Sequence, residues 1–188
     1  MINLFIDATQ SYCHLAILND QIIVKKMKVK TNNNLTEMIV EHIENLLQLV
    51  KINHQDVKKI LLVVGPGSFT GVRIGVLIAK AWSLVYQIPV YTINALLLQT
   101  PNGSGLSILD ARGDLVYVSA YQNNKCLIKP QVMKVAEAEL LIPQYKYLSV
   151  YIQYKSADIF NNLIYHISNF KKVTNIHKLH PLYIKQPL

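Results

Sequence analysis

One run constrains this chain more than any other: Gly65-Pro66-Gly67-Ser68-Phe69-Thr70-Gly71-Val72-Arg73-Ile74-Gly75. It follows Ile60-Leu61-Leu62-Val63-Val64, an apolar stretch of the length and composition of a buried strand. It opens a helical pattern from Thr70 to about Tyr86. A glycine-rich turn between strand and helix can cradle phosphate, because free backbone N–H groups at a helix start attract anions. This turn fails the usual tests. A P-loop needs Gly-Lys-Ser/Thr at the helix start, whereas Thr70-Gly71-Val72-Arg73 stands here and the first lysine is Lys80. A dinucleotide fingerprint needs glycine where Thr70 stands.

What the helix carries instead is a stripe of small residues. Gly71, Gly75, Ala79 and Ser83 recur every fourth position and share one face. Glycine inside a helix costs roughly 1 kcal/mol relative to alanine, so close approach of another backbone is the expected compensation. That backbone could belong to a partner or to this chain's own sheet, and the spacing leaves both open. Arg73 and Lys80 within the helix argue against a membrane span.

The order of elements is strand, hairpin, helix, strand, helix, strand, helix. Asn3–Asp7 is the first strand; 12–18 and 21–29 form a hairpin about Asn19-Asp20. A helix from Leu35 to about Val50 has Asn34 as N-cap and Glu37 completing a capping box, with Leu35, Ile39, Ile43, Leu46, Leu47 and Val50 on its apolar stripe. A short strand at Pro89–Thr92 and a helix at Asn94–Gln99 follow. This βββαβαβα order is that of a ribonuclease H-like lobe. Pro101-Asn102-Gly103-Ser104-Gly105 marks the expected boundary, giving lobes at 1–100 and 106–188. The second has strands at 106–109, 115–121, 126–133 and 147–150, a short helix at 135–141, and a helix at 156–170 capped by Ser156.

Chemistry is thinly supplied. His14, His42, His54, His166, His177 and His180 include no pair at i, i+4, and His177 and His180 have no nearby Cys, Asp or Glu to complete a metal site. Asp7, at a strand end, could help hold magnesium and phosphate or could cap its own turn. Ser68 and Thr70 lack an activating partner at a recognisable spacing and suit helix capping. Arg112 and Asp114 are expected to pair or to fix a turn. Cys13 and Cys126 form no metal or redox spacing. The net charge of +8 invites nucleic-acid binding, yet only Arg73 and Arg112 are arginines and the lysines are spread along the chain. No apolar stretch approaches the roughly 20 residues of a membrane helix. The N-terminus reads as a strand and not a signal peptide, so a soluble cytoplasmic protein with reduced thiols is expected.

The Gly65–Gly75 run, Ile6-Asp7-Ala8-Thr9, Asp110-Ala111-Arg112 followed by Val116-Tyr117, and the ending Pro181-Leu182-Tyr183-Ile184-Lys185 together resemble the TsaB (YeaZ) family of tRNA threonylcarbamoyladenosine biosynthesis proteins. The likeness covers most of the chain in the expected order. Asp7-Ala8-Thr9 stands where the family tends to have Asp-Thr-Ser, and Lys185 where arginine is usual. The resemblance implies an α/β, two-lobed fold of the actin, hexokinase and Hsp70 class, here with a shortened second lobe. It also implies a non-catalytic subunit supporting a TsaD-type transferase, alongside a TsaE-type ATPase, with tRNA held through the complex. ATP and metal are then expected on the partner subunits, with none bound by this chain alone except through the weak candidate Asp7. Leu35, Ile39, Ile43, Gly71, Arg73, Gly75, Ala79 and Ser83 would form the partner interface, and a homodimer is expected when the partner is absent. The turn Gly65, Pro66, Gly67, Ser68, Phe69 and Thr70 is the family motif. A phosphotransferase using Asp7 and this turn is the competing reading, and autonomous RNA binding a third.

Overall fold

The computed structural model describes residues 1–31 and 35–184, and of Leu35 and Thr36 only the backbone. Asn34 as a cap, the Leu35 side chain and Lys185 therefore lie outside the described residues. The chain forms two compact units, divided differently from the expected 1–100 and 106–188. Among the described residues, one comprises 1–31, 35–64, 68–93 and 169–181; the other comprises 65–67, 94–168 and 182–184.

The first unit is built on a six-stranded sheet. Its strands are β1 (Ile2–Asp7), β2 (Tyr12–Asn19), β3 (Ile22–Lys30), β4 (Val57–Val63), β5 (Val90–Ile93) and β10 (Lys171–Lys172), ordered β10-β5-β4-β1-β2-β3. β1, β2 and β3 run antiparallel, whereas β1, β4 and β5 are parallel. This is the expected ribonuclease H-like arrangement. The hairpin turn falls one residue later than its sequence signal, on Asp20-Gln21, because Asp20 takes the left-handed conformation (φ 53°) and its N–H donates to the Met1 carbonyl. β10 was not expected. Its two lysines pair antiparallel with Tyr91 and Thr92, which brings 169–181 into this unit.

Two helices, α1 (Leu35–Leu49) and α2 (Phe69–Tyr86), lie side by side on one face of this sheet. Alternation along each strand sends Leu4, Ile6, Leu15, Ile17, Ile60 and Leu62 to that face, where they meet Ile39, Ile43 and Leu46 of α1 and Ile74, Ile78 and Ala79 of α2. Each buried leucine or isoleucine among them contributes about 1.5–3 kcal/mol relative to exposure. By length and composition α2 could cross a membrane. Its buried residues, however, are accounted for by packing on the sheet, as in a core helix.

The second unit has a four-stranded sheet of β6 (Gly105–Asp110), β7 (Leu115–Gln122), β8 (Lys125–Lys134) and β9 (Val150–Ile152), ordered β8-β7-β6-β9. Pro130 is tolerated because β8 is an edge strand whose register shifts there. The unit's helices are α3 (Ala95–Leu98), α4 (Val135–Glu139), α5 (Leu141–Gln144) and α6 (Ile159–Tyr165). The expected helix at 135–141 is thus two short ones. α6 starts later than expected and is capped by Asp158, not Ser156, because the Asp158 carboxylate accepts from the Phe160 and Asn161 N–H groups. At the β6–β7 turn no ion pair joins Arg112 to Asp114 among the described residues. Asp110 Oδ1 fixes that turn by accepting from Arg112 N–H at 2.9 Å.

A buried polar network surrounds α3. Gln99 bonds Ser107 and the Tyr154 N–H, Asn162 donates to the Leu98 carbonyl, and His166 Nε2 lies 2.9 Å from the Thr100 carbonyl. Since a carbonyl only accepts, neutral His166 carries its proton on Nε2. Burial pushes its pKa below the ordinary value, and the Thr100 bond opposes this in part. The unfolded chain then binds a proton that the folded chain refuses, so stability falls as pH drops below about 6.5. Urea unfolding at pH 7.5 and 5.5 should show a smaller loss for His166→Gln, whose amide can still donate to Thr100. Equal losses in both proteins would remove His166 as the source.

Candidate functional site

The end of β1 and the start of α2 form a closed clasp. Asp7 is fully buried, and its Oδ1 accepts from the Thr9 N–H at 2.9 Å and the Thr9 hydroxyl at 2.7 Å. The Thr9 carbonyl accepts from Ser68 N–H at 2.7 Å. Ser68 then caps α2, its Oγ accepting from Gly71 N–H at 3.3 Å. Gly71 faces the Ala8 carbonyl so closely that a Cβ there would lie 1.9 Å from the oxygen. Glycine is the one residue that fits. Upstream, Gly65 has φ 105°, a conformation open mainly to glycine, and its carbonyl accepts from Ala95 N–H at 2.7 Å. The Gly65–Pro66 peptide is cis.

These contacts give Asp7 a structural task. Asp7→Ala removes the acceptor for two buried donors on Thr9 and is expected to lower unfolding stability by about 2–3 kcal/mol. Urea denaturation measures this, and an unchanged midpoint would free Asp7 for another role. Beside it, Cys13 is buried and its thiol is pushed well above the usual range, first by burial and then by the charge of Asp7. A protonated thiol is a poor nucleophile. Among the described residues no group of three or more His, Cys, Asp or Glu is placed to hold a metal ion.

The small-residue stripe faces inward, which corrects its assignment to a partner interface. Gly71 abuts Ala8, a Cβ on Gly75 would meet Leu62 Cδ1 at 3.3 Å, and Ala79 is fully buried. Ile39 and Ile43 of α1 are likewise buried in the unit's core. The reason is geometric: the narrow stripe lets α2 settle close to β1 and β4, so the sheet itself is the second backbone. Ser83 is half-buried, while Thr70 and Arg73 are exposed. Phe69 opens α2 with its ring beneath the Arg73 guanidinium, 3.5 Å from centroid to Cζ.

What remains exposed on the two helices is unexpectedly apolar. Leu77 (61 % exposed), Leu84 and Val85 (70 %) line the outer side of α2; on α1 Val40 is exposed, and Leu49 is exposed on the opposite flank, beside Met27 of β3. The four-residue spacing marks only the inward stripe and not this outer set. Its signal was present: α2 is apolar on more of its circumference than one buried face needs. At the far end of α2, His54 stacks on Tyr86 and lies edge-on to Trp82, while its Nε2 is 2.6 Å from Glu44 Oε1. This cluster ties the turn before β4 to both helices.

The family model described as "TsaD: tRNA N6-adenosine threonylcarbamoyltransferase" matches residues 28–174. A Bacillus subtilis protein, "tRNA threonylcarbamoyladenosine biosynthesis protein TsaB", is 34% identical over 136 residues, covering 69% of this chain and 58% of that protein. The chain is a TsaB/YeaZ-like member of the TsaD family. The Mycoplasma pneumoniae "Uncharacterized protein MG208 homolog" is 31% identical over 193 residues, 98% of this chain and 95% of that one. "YeaZ from Pseudomonas aeruginosa" superposes with a TM-score of 0.70 at 16% identity, over 97% of this chain and 99% of that structure. The TsaB/YeaZ-like chain therefore has the ribonuclease H-like, actin and Hsp70-class α/β fold that its motifs implied.

Proposed function

We propose that this chain serves tRNA threonylcarbamoyladenosine biosynthesis as a non-catalytic subunit that binds and supports a TsaD-type transferase. The observation carrying the reading is the exposed apolar surface of Leu77, Leu84 and Val85 on α2, with Val40 on the neighbouring α1, two helices whose inner faces are already filled by their own sheet. Side chains this apolar and this exposed gain by burial against a matching surface. The interface proposed from sequence thus moves to the opposite side of the same helices, keeping Arg73 and adding Leu77, Leu84 and Val85. The tasks the clasp gives Asp7, Ser68 and Gly71 are supports of structure, which favours a supporting role over phosphoryl transfer. Nucleotide and metal would be held by the partners, including a TsaE-type ATPase, and tRNA through the assembly. The same outer surface would serve self-association when the transferase is absent.

Size-exclusion chromatography of this chain with the TsaD-type protein of its own organism, each also run alone, tests the reading. A mixed peak growing at the expense of any homodimer is expected. Two unchanged peaks, with and without ATP and tRNA, would overturn it.

A further inference from the structure

We propose that the exposed lysine row of the edge strand β3, with Tyr12 beside it, binds the phosphate backbone of RNA. The inference rests on the functional reading above only for the identity of that RNA, a tRNA. In a strand alternate residues share a face, and Met27 packs against the helix-covered core. Lys26, Lys28 and Lys30 therefore share the opposite face of β3, and all three are exposed. They recur every second residue, roughly 6.7 Å apart. That forms a row of cations on a scale suited to the successive phosphates of an extended strand. β3 is the edge of its sheet, so the row has strand neighbours on one side only. Those neighbours are Ala16 and His14, both buried, and the exposed Tyr12.

Tyr12 gives the row an aromatic member. Tyr12 is 39% exposed, and its ring carries Lys28 Nζ at 4.6 Å from the centroid. A ring beside a row of cations suits a base next to its phosphates, since every base has a face to stack. An acidic peptide would use the lysines and leave the ring idle. Lysine lacks the planar fork with which arginine reads bases, so this surface grips backbone without reading sequence. Edge lysines also discourage strands from pairing between molecules. The other sheet supplies the control for that role, because Lys125, Lys129 and Lys134 lie exposed on its edge strand β8.

Fluorescence anisotropy of the full chain with a labelled, unmodified tRNA transcript, from 50 to 200 mM KCl, provides the test. Lys26→Gln/Lys28→Gln/Lys30→Gln is expected to weaken binding about tenfold or more and to reduce the slope of log K against log[KCl] by about 2. Tyr12→Ala should weaken it at least about fivefold with little change in slope. Lys125→Gln/Lys129→Gln/Lys134→Gln, with the same loss of charge, should retain near wild-type affinity. Equal losses in the two triple variants would overturn the proposal, as would polyglutamate competing as well as tRNA, or no binding by the wild type at 50 mM KCl. Co-elution with the TsaD-type protein is measured on the same variants. Absent RNA binding with intact co-elution would overturn this inference alone. Hairpin-dependent RNA binding without co-elution would overturn the partner reading and leave this one standing.

Discussion

Gly71→Ala is expected to destabilise the chain by about 3 kcal/mol or more, a large effect for a single added methyl group. The new Cβ would lie 1.9 Å from the Ala8 carbonyl oxygen and 3.0 Å from its carbon. Those atoms are backbone, and cannot rotate aside as a side chain would. Nor can that backbone drift away, because Asp7 binds Thr9 on one side and the Thr9 carbonyl is held by Ser68 N–H on the other. Relief would require opening the clasp that sets α2 on the sheet.

Gly75→Ala provides the internal comparison. Its Cβ would meet the Leu62 Cδ1 methyl at 3.3 Å, the far end of a flexible side chain, and Ile6 Cγ2 at 4.0 Å. A shift of a few tenths of an ångström suffices there, and the roughly 1 kcal/mol of helix propensity gained offsets much of the crowding. Urea denaturation of the two variants should separate them by about 2 kcal/mol or more. Equal losses would mean that the clasp yields, and that the turn's glycines serve some other purpose. Gly75→Leu, by contrast, would drive a full side chain into Leu62 and should impair folding itself, so it cannot probe partner binding.

The contrast between these two glycines shows what the sequence made legible. The strand, the turn and the helix after it could be read because each signal is local: an apolar run, a capping serine, a regular spacing. The spacing also told that Gly71, Gly75 and Ala79 share a face. It could not tell what lies across from that face, because Ala8, Ile6 and Leu62 reach it through sheet pairing with no local trace. The same limit hid β10, whose two lysines look like a solvated charge run and become a strand only through pairing with Tyr91 and Thr92. At α6 the difficulty was competition between two good caps. Ser156 and Asp158 both qualify by type, and the carboxylate prevails by accepting from two N–H groups of the first turn. For the stripe, spacing identified the shared face, and only the sheet pairing shows that β1 and β4 cover it.

Leu77→Glu/Val85→Glu tests the outer side of α2 directly, and is expected to weaken binding to the TsaD-type protein about 100-fold or more while leaving the fold intact. The two side chains are 61% and 70% exposed, so charges there meet water in the free chain and cost it little. In a complex each carboxylate would be taken from water without a partner, and loss of a central apolar contact alone is worth about 2 kcal/mol or more. Ile22→Glu is the matched control, because Ile22 is 73% exposed but lies on β3, away from the helices' outer surface. Titration calorimetry against the TsaD-type protein should find Ile22→Glu at wild-type affinity. The double variant should also run as a monomer wherever the wild type runs as a dimer, since the same surface is proposed for both associations. Should it fold and still bind as tightly as the wild type, the outer face of α2 is only solvated surface. The transferase would then have to meet this chain elsewhere.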